Sequence, residues 1–174
     1  FFYFFGNNLF SQSMTFDNFS LENHGKWEFI TDQVMGGKST GNYNFLNENQ
    51  INFIRLTGMV SLDNNGGFIQ VRRKVAHKIK SSFKEILLTA RGNNEDYFLH
   101  IRTNFTLLPW QYYQTKFTVK KNWRDIRVPL KDFKRSGIFL PNNIKSKDIK
   151  SIALVAFGRK HKVLLDVSEI YLVN

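Results

Sequence analysis

Tyr97-Phe98-Leu99-His100-Ile101-Arg102-Thr103 interleaves two sets of side chains: Tyr97, Leu99 and Ile101 are apolar, while His100 and Arg102 are polar. Successive strand residues point to opposite faces, so this stretch reads as a β-strand with one face buried and the other meeting solvent. Tyr113-Gln114-Thr115-Lys116-Phe117-Thr118-Val119 repeats the alternation. Working outward, short runs of β-branched and aromatic residues closed by Asn, Gly, Asp or Lys predict further strands. They cover Met14–Phe19, Trp27–Ile30, Gly41–Phe45, Ile51–Leu56, Gly67–Lys74, Lys84–Ala90, Trp123–Val128, Ser151–Phe157 and Val163–Val173, and the second alternating run extends to Gln111–Val119. No window sustains a 3.6-residue period, and only Val75–Phe83 has room for a helical turn. Asn64-Asn65-Gly66-Gly67 and Arg91-Gly92-Asn93-Asn94 supply residues that accept positive φ in tight connections. The expected architecture is all-β, a jelly-roll β-sandwich with residues 14–174 as a single domain.

Composition narrows the function classes. The 174 residues include 42% hydrophobic and 22% charged side chains, an ordinary globular balance. There is no cysteine, which excludes disulfides, thiolate nucleophiles and cysteine-ligated zinc. The net charge of +11 is uneven: residues 1–65 hold 3 basic and 6 acidic side chains, and residues 66–174 hold 22 and 8. A surplus of that kind favours anionic partners or simply a solvated surface.

Phe1–Ser13, FFYFFGNNLFSQS, reads as the remnant of a secretory signal peptide: an apolar run, then small residues flanking Gln12. Cleavage after Ser13 would leave Met14 first. This places the chain as exported, periplasmic or secreted, with mitochondrial or membrane-associated as the alternative, and it argues against nucleic acid as a partner.

Trp27–Ser39, WEFITDQVMGGKS, contains two catalytic look-alikes. Gly37-Lys38-Ser39-Thr40-Gly41 has nucleophile-elbow spacing, but that chemistry needs a helix after the serine, and Tyr43-Asn44-Phe45 reads as strand. Gly37-Lys38-Ser39 resembles the tail of a phosphate loop, yet the position for the leading glycine falls on Asp32 or Gln33. The reading is instead a structured loop in which Asp32 accepts backbone hydrogen bonds. Arg72 and Arg73, adjacent on one strand, must point to opposite faces, so one of them enters the sandwich and needs a carboxylate or carbonyl partner. Tyr97, Trp110, Tyr112 and Tyr113 cluster in sequence and suit either core packing or a stacking platform for a glycan. His24, His77, His100 and His161 lack metal-ligand spacing, and Asp17, Asp166 and Glu169 could at most share one edge as a structural Ca²⁺ site. No catalytic set, no metal site and no cofactor are expected.

Trp27, Thr31-Asp32-Gln33-Val34-Met35-Gly36-Gly37-Lys38-Ser39 and Asn64-Asn65-Gly66-Gly67-Phe68 with Val71-Arg72 resemble the complex I intermediate-associated proteins of the thirty-kilodalton family. Arg91-Gly92, Tyr97, Leu99, Arg102, Tyr113-Gln114 and Val128-Pro129-Leu130 extend the likeness over Met14 to Val173. The resemblance implies a galactose-binding-like jelly roll and a non-enzymatic assembly role. It also implies protein partners, among them membrane-complex assembly intermediates. The expected contacts are sandwich loops bearing Asp32, Gln33, Gly36, Gly37, Ser39, Asn64, Asn65, Gly66 and Gly67, together with Arg72. The rival reading is a carbohydrate-binding module of the cell envelope or secreted fraction, using Tyr97, Trp110, Tyr112 and Tyr113.

Overall fold

The computed structural model describes residues 12–174. The signal-peptide reading of residues 1–13 therefore lies outside the described residues except for Gln12 and Ser13; Ser13 opens the first strand, opposite Val173.

Twelve strands form among the described residues: β1 Ser13–Asp17, β2 Trp27–Thr31, β3 Thr40–Glu48, β4 Ile51–Val60, β5 Phe68–Lys74, β6 Glu85–Gly92, β7 Asp96–Thr103, β8 Tyr113–Thr118, β9 Arg124–Pro129, β10 Lys134–Arg135, β11 Ile149–Phe157 and β12 His161–Val173. Every strand expected from alternation is present. The addition is β10, two charged residues with no periodicity to read, which pairs with β8. Val75–Phe83 holds no helix, and short 3-10 turns form instead at Leu21–Lys26, Asp32–Met35, Asp63–Asn65, Leu130–Asp132 and Ser146–Asp148; Val75–Phe83 is an irregular connection that buries Ile79 and Phe83 in the core. Apolar anchoring rather than backbone periodicity organises that segment.

The strands make two antiparallel sheets. The first runs β3-β4-β12-β6-β9, with β1 also paired to β12; the second runs β10-β8-β7-β11-β5-β2. Alternation puts Ile54, Leu56, Leu88, Leu165 and Val167 of the first sheet against Ile69, Val71, Leu99, Ile101, Ile152 and Leu154 of the second, all buried. Burial of this apolar layer, at about 25 cal/mol per Å² removed from water, is the main stabilising term. No helix among the described residues is long and apolar enough to cross a membrane.

The same parity rule sends the other residues of the second sheet outward. Registers β5–β11 and β11–β7 align them into rows: Arg72, Ala153 and His100 in one, Lys74, Ser151 and Arg102 in the next. Small side chains on the central strand β11 give this face a trough between longer neighbours.

Candidate functional site

The two loops expected to make contacts do lie together, joined by one buried carboxylate. Asp32 follows β2 and is fully buried. Its Oδ1 accepts the Ser39 N–H at 2.9 Å, and its Oδ2 accepts the Ser39 hydroxyl at 2.5 Å and the N–H groups of Gly67 and Phe68 at 2.6 and 3.3 Å. Burial alone would raise its pKa, but the bonds from Ser39, Gly67 and Phe68 together outweigh that and hold the carboxyl below its ordinary value. A Cβ on Gly37 would sit 2.4 Å from the Asp32 Cγ, and one on Gly66 would sit 2.5 Å from Oδ2, so both positions exclude side chains to let the loops close on the carboxylate. Asn64 and Asn65 adopt φ of 56° and 58°, the positive values their turn requires, and Asn64 Nδ2 donates to the Gly36 carbonyl at 3.0 Å.

This corrects part of the expected contact set. Asp32 and Ser39 are enclosed, and Gly67 is buried with its N–H committed to Asp32, so none of the three reaches a partner. They clasp the loops. Ser39 donates to Asp32 and accepts from Ser61 N–H at 3.0 Å, which ties β3 to the end of β4. Gln33, Gly36, Asn64 and Asn65 stay exposed, Gly37 and Gly66 half so.

The aromatic set also divides. Tyr97 and Tyr113 share the inward parity of Leu99 and Phe117 and are buried in the core. The Tyr97 hydroxyl donates to Asn93 Oδ1 and accepts from Leu164 N–H, and burial pushes it up to about 12. The Tyr113 hydroxyl donates to the Pro141 carbonyl at 2.8 Å. Neither ring can serve as a platform. Trp110 and Tyr112 can: both face the trough, and Trp110 is 68% exposed.

That trough is a concavity of about 580 Å³ across the outer face of the second sheet. Its floor is Ala153, Val155 and Ser151 of β11. One wall carries His100, Trp110 and Tyr112, the other Ile30, Gln70 and Arg72, and the loop residues Val34 and Met35 with Phe68 at the start of β5 close one end beside Phe157. His100 stacks on Tyr112 with centroids 4.3 Å apart and meets the edge of Phe157 at 5.5 Å. Burial lowers the His100 pKa to about 4, with Gln114 acting in the opposite sense, so the ring is neutral near pH 7. Arg102 donates to the carbonyls of Thr106 and Leu108, fixing the loop that presents Trp110. The Ser136 hydroxyl donates to the Trp110 carbonyl and accepts from Tyr112 N–H, which ties in the loop carrying Ile138 and Phe139. Exposed Val34, Met35 and Trp110 line the trough and give it apolar rims; Leu107, Ile138 and Phe139 are exposed apolar residues of the two neighbouring loops. Exposed apolar surface concentrated at a concavity marks a place of contact.

Arg72 and Arg73 do part as alternation requires. Arg73 turns inward and pairs with Asp17, while Arg72 turns to the trough and pairs with Glu28 at 2.8 Å. The carboxylates imagined at a Ca²⁺ site are dispersed: Asp17 answers Arg73, and Asp166 answers Arg55 and Arg91 on the outer face of the first sheet. Among the described residues no cluster of potential metal ligands forms.

Comparison with known families gives a match to complex I intermediate-associated protein 30 over residues 14–165. The chain belongs to that family. No curated protein sequence matches it. Among solved structures, this family member is similar to the family 11 carbohydrate-binding module of a Clostridium thermocellum cellulase, with a TM-score of 0.74, 13% identity and coverage of 94% of this chain and 95% of that one. The same module solved in complex with a β-1,3-1,4-mixed-linked tetrasaccharide gives 0.74 and 13%, covering 93% and 95%. An exo-β-agarase aligns at 0.57 and 8%, over 93% of this chain and 25% of its own. At such identities the likeness is one of fold: this member of the complex I intermediate-associated protein 30 family is a jelly-roll β-sandwich.

Proposed function

We propose that the chain is a non-enzymatic binding module that holds an extended, apolar segment of a protein partner in the trough of the second sheet. The observation that carries this reading is the trough's lining. Ile30, Val34, Met35, Phe68, Val155 and Phe157 make one end of it a continuous apolar stretch, with Val34, Met35 and Trp110 exposed, while Gln70, Arg72, His100, Arg102 and Ser151 supply the polar groups of the rest. That apolar stretch suits apolar side chains better than sugar hydroxyls, which would lose water there without replacement. The family's association with complex I intermediates supports the finer reading, that the partner is a membrane-complex assembly intermediate.

Met35→Asp combined with Trp110→Ala tests it. Both residues are exposed in the free chain, so stability should hold, while partner affinity should drop by about ten-fold or more, as truncating a tryptophan that becomes buried in an interface commonly does. Pull-down of one identified partner by the wild type and not by the double variant is the expected result; equal recovery would remove the trough from the interface.

A second reading has its own observation. Trp110 and the stacked His100–Tyr112 pair resemble the flat faces on which sugar rings pack, and a structural neighbour was solved with an oligosaccharide. A glycan array separates the two: sugar binding lost on Trp110→Ala would favour this alternative.

A further inference from the structure

The trough changes character along its length. At the Phe157 end its residues are Phe68, Val34 and Met35. At the Ser151 end they are Arg72 and Arg102, and a second cavity of about 440 Å³ opens there, sharing Arg72, Arg102 and Ser151 and adding Lys74 and Lys150. The register explains this: Ser151 is flanked by Lys74 on β5 and Arg102 on β7, and Arg72 stands in the adjacent row beside Ala153, so strand pairing itself brings three of the cations together. Of these four cations, Arg72 and Lys74 share one carboxylate, Glu28, at 2.8 and 3.6 Å. Arg102 donates to neutral carbonyls, and neither it nor Lys150 forms an ion pair among the described residues. The Arg72 Nε is buried and has no hydrogen-bond partner. A concave site with surplus positive charge concentrates the field on whatever enters it.

We infer that the segment held in the trough is anionic at one end, with aspartate or glutamate side chains entering the Arg72–Lys74–Arg102–Lys150 pocket while apolar side chains fill the end near Phe157. This rests on the reading of the trough as a protein-binding site. Spacing agrees: Ser151 and Phe157 lie on one strand, and at ~3.3 Å per residue their separation is ~20 Å, the reach of six or seven extended residues. The acid therefore falls about six residues from the apolar anchor.

Panning a random-peptide display library on the whole chain tests the inference, followed by fluorescence anisotropy of the recovered peptides. Two variants serve as probes: Lys74→Glu with Lys150→Glu, both exposed, and the rim pair Met35→Asp with Trp110→Ala. Recovered peptides should carry an apolar run with acids to one side. Charge reversal, high salt or Glu→Gln in the peptide should each weaken them about ten-fold. Peptides that need the rim but ignore charge reversal would overturn the inference and leave the trough reading standing. Peptides indifferent to both variants, or no peptides at all, would overturn both. Cosedimentation with phosphatidylglycerol vesicles that depends on Lys74 and Lys150, without acid selection among peptides, would assign the cationic row to lipid and overturn the inference.

Discussion

Asp32→Ala should lower stability by about 3 kcal/mol or more, because it leaves several buried donors without an acceptor. The carboxylate accepts three backbone N–H groups and one hydroxyl, from Ser39, Gly67 and Phe68, in a site closed to water. Alanine leaves those donors unpaired, and each buried unsatisfied group costs about 1–3 kcal/mol unless the loops open to hydrate it. Opening the loops would also displace Val34, Met35 and Phe68 from the end of the trough. Asp32→Asn should recover little, because its amide group would turn N–H toward N–H. Lys38→Ala, on the exposed side of the same loop, is the control and should be silent. Since the folded carboxyl lies below its ordinary 3.8, the stabilisation it provides is complete above that value and is lost as pH falls through the depressed one. Urea titration of wild type and variant at neutral pH should therefore show the full gap, and the gap should narrow in strong acid. A deficit under about 1 kcal/mol at neutral pH would contradict the clasp.

Asp17→Ala should be comparably damaging, by ~3–5 kcal/mol, for a different reason: it strands a buried positive charge. The Asp17 carboxylate accepts from Phe19 N–H at 2.7 Å, Asn23 Nδ2 at 3.0 Å and Trp27 Nε1 at 2.7 Å, and it pairs with Arg73, which is only 8% exposed. Arg73 also donates to the Phe16 carbonyl, so β1, the turn after it, β2 and β5 all meet at this point. Adding Arg73→Met to Asp17→Ala should restore part of the loss by removing the orphaned charge, and a double-mutant cycle measures the coupling. Strict additivity of the two substitutions would show that the pair is not an energetic unit.

Strand positions were legible because one buried face imposes a period of two, as in Tyr97–Thr103. Short β10 escaped because two paired lysine and arginine residues have no period. The clasp was half legible: Asp32 before a glycine pair suggests a carboxylate taking backbone bonds, but that Gly66 and Gly67 come from a distant turn to share it is a tertiary fact. Parity alone separates Tyr97 and Tyr113 from Trp110 and Tyr112, since the first two align with Leu99, Ile101 and Phe117; nearness in sequence obscures this. The trough was harder to see. Ser151-Ile152-Ala153-Leu154-Val155 reads as continuous apolar strand, and only the sheet order, which places it between Arg72 and His100, shows that Ala153 floors a groove.

On the proposed function, this family member works by seating a protein segment on the outer face of its second sheet. Site-specific photo-cross-linking tests it most directly, with benzoylphenylalanine placed at Trp110 or Met35 on the rims, or at Tyr171 on the outer face of the first sheet, in the native host. The expected result is adducts from the rim positions alone, mapping to one extended apolar stretch of a single partner protein. Adducts from Tyr171 in equal yield, or rim adducts to carbohydrate and no protein, would contradict it.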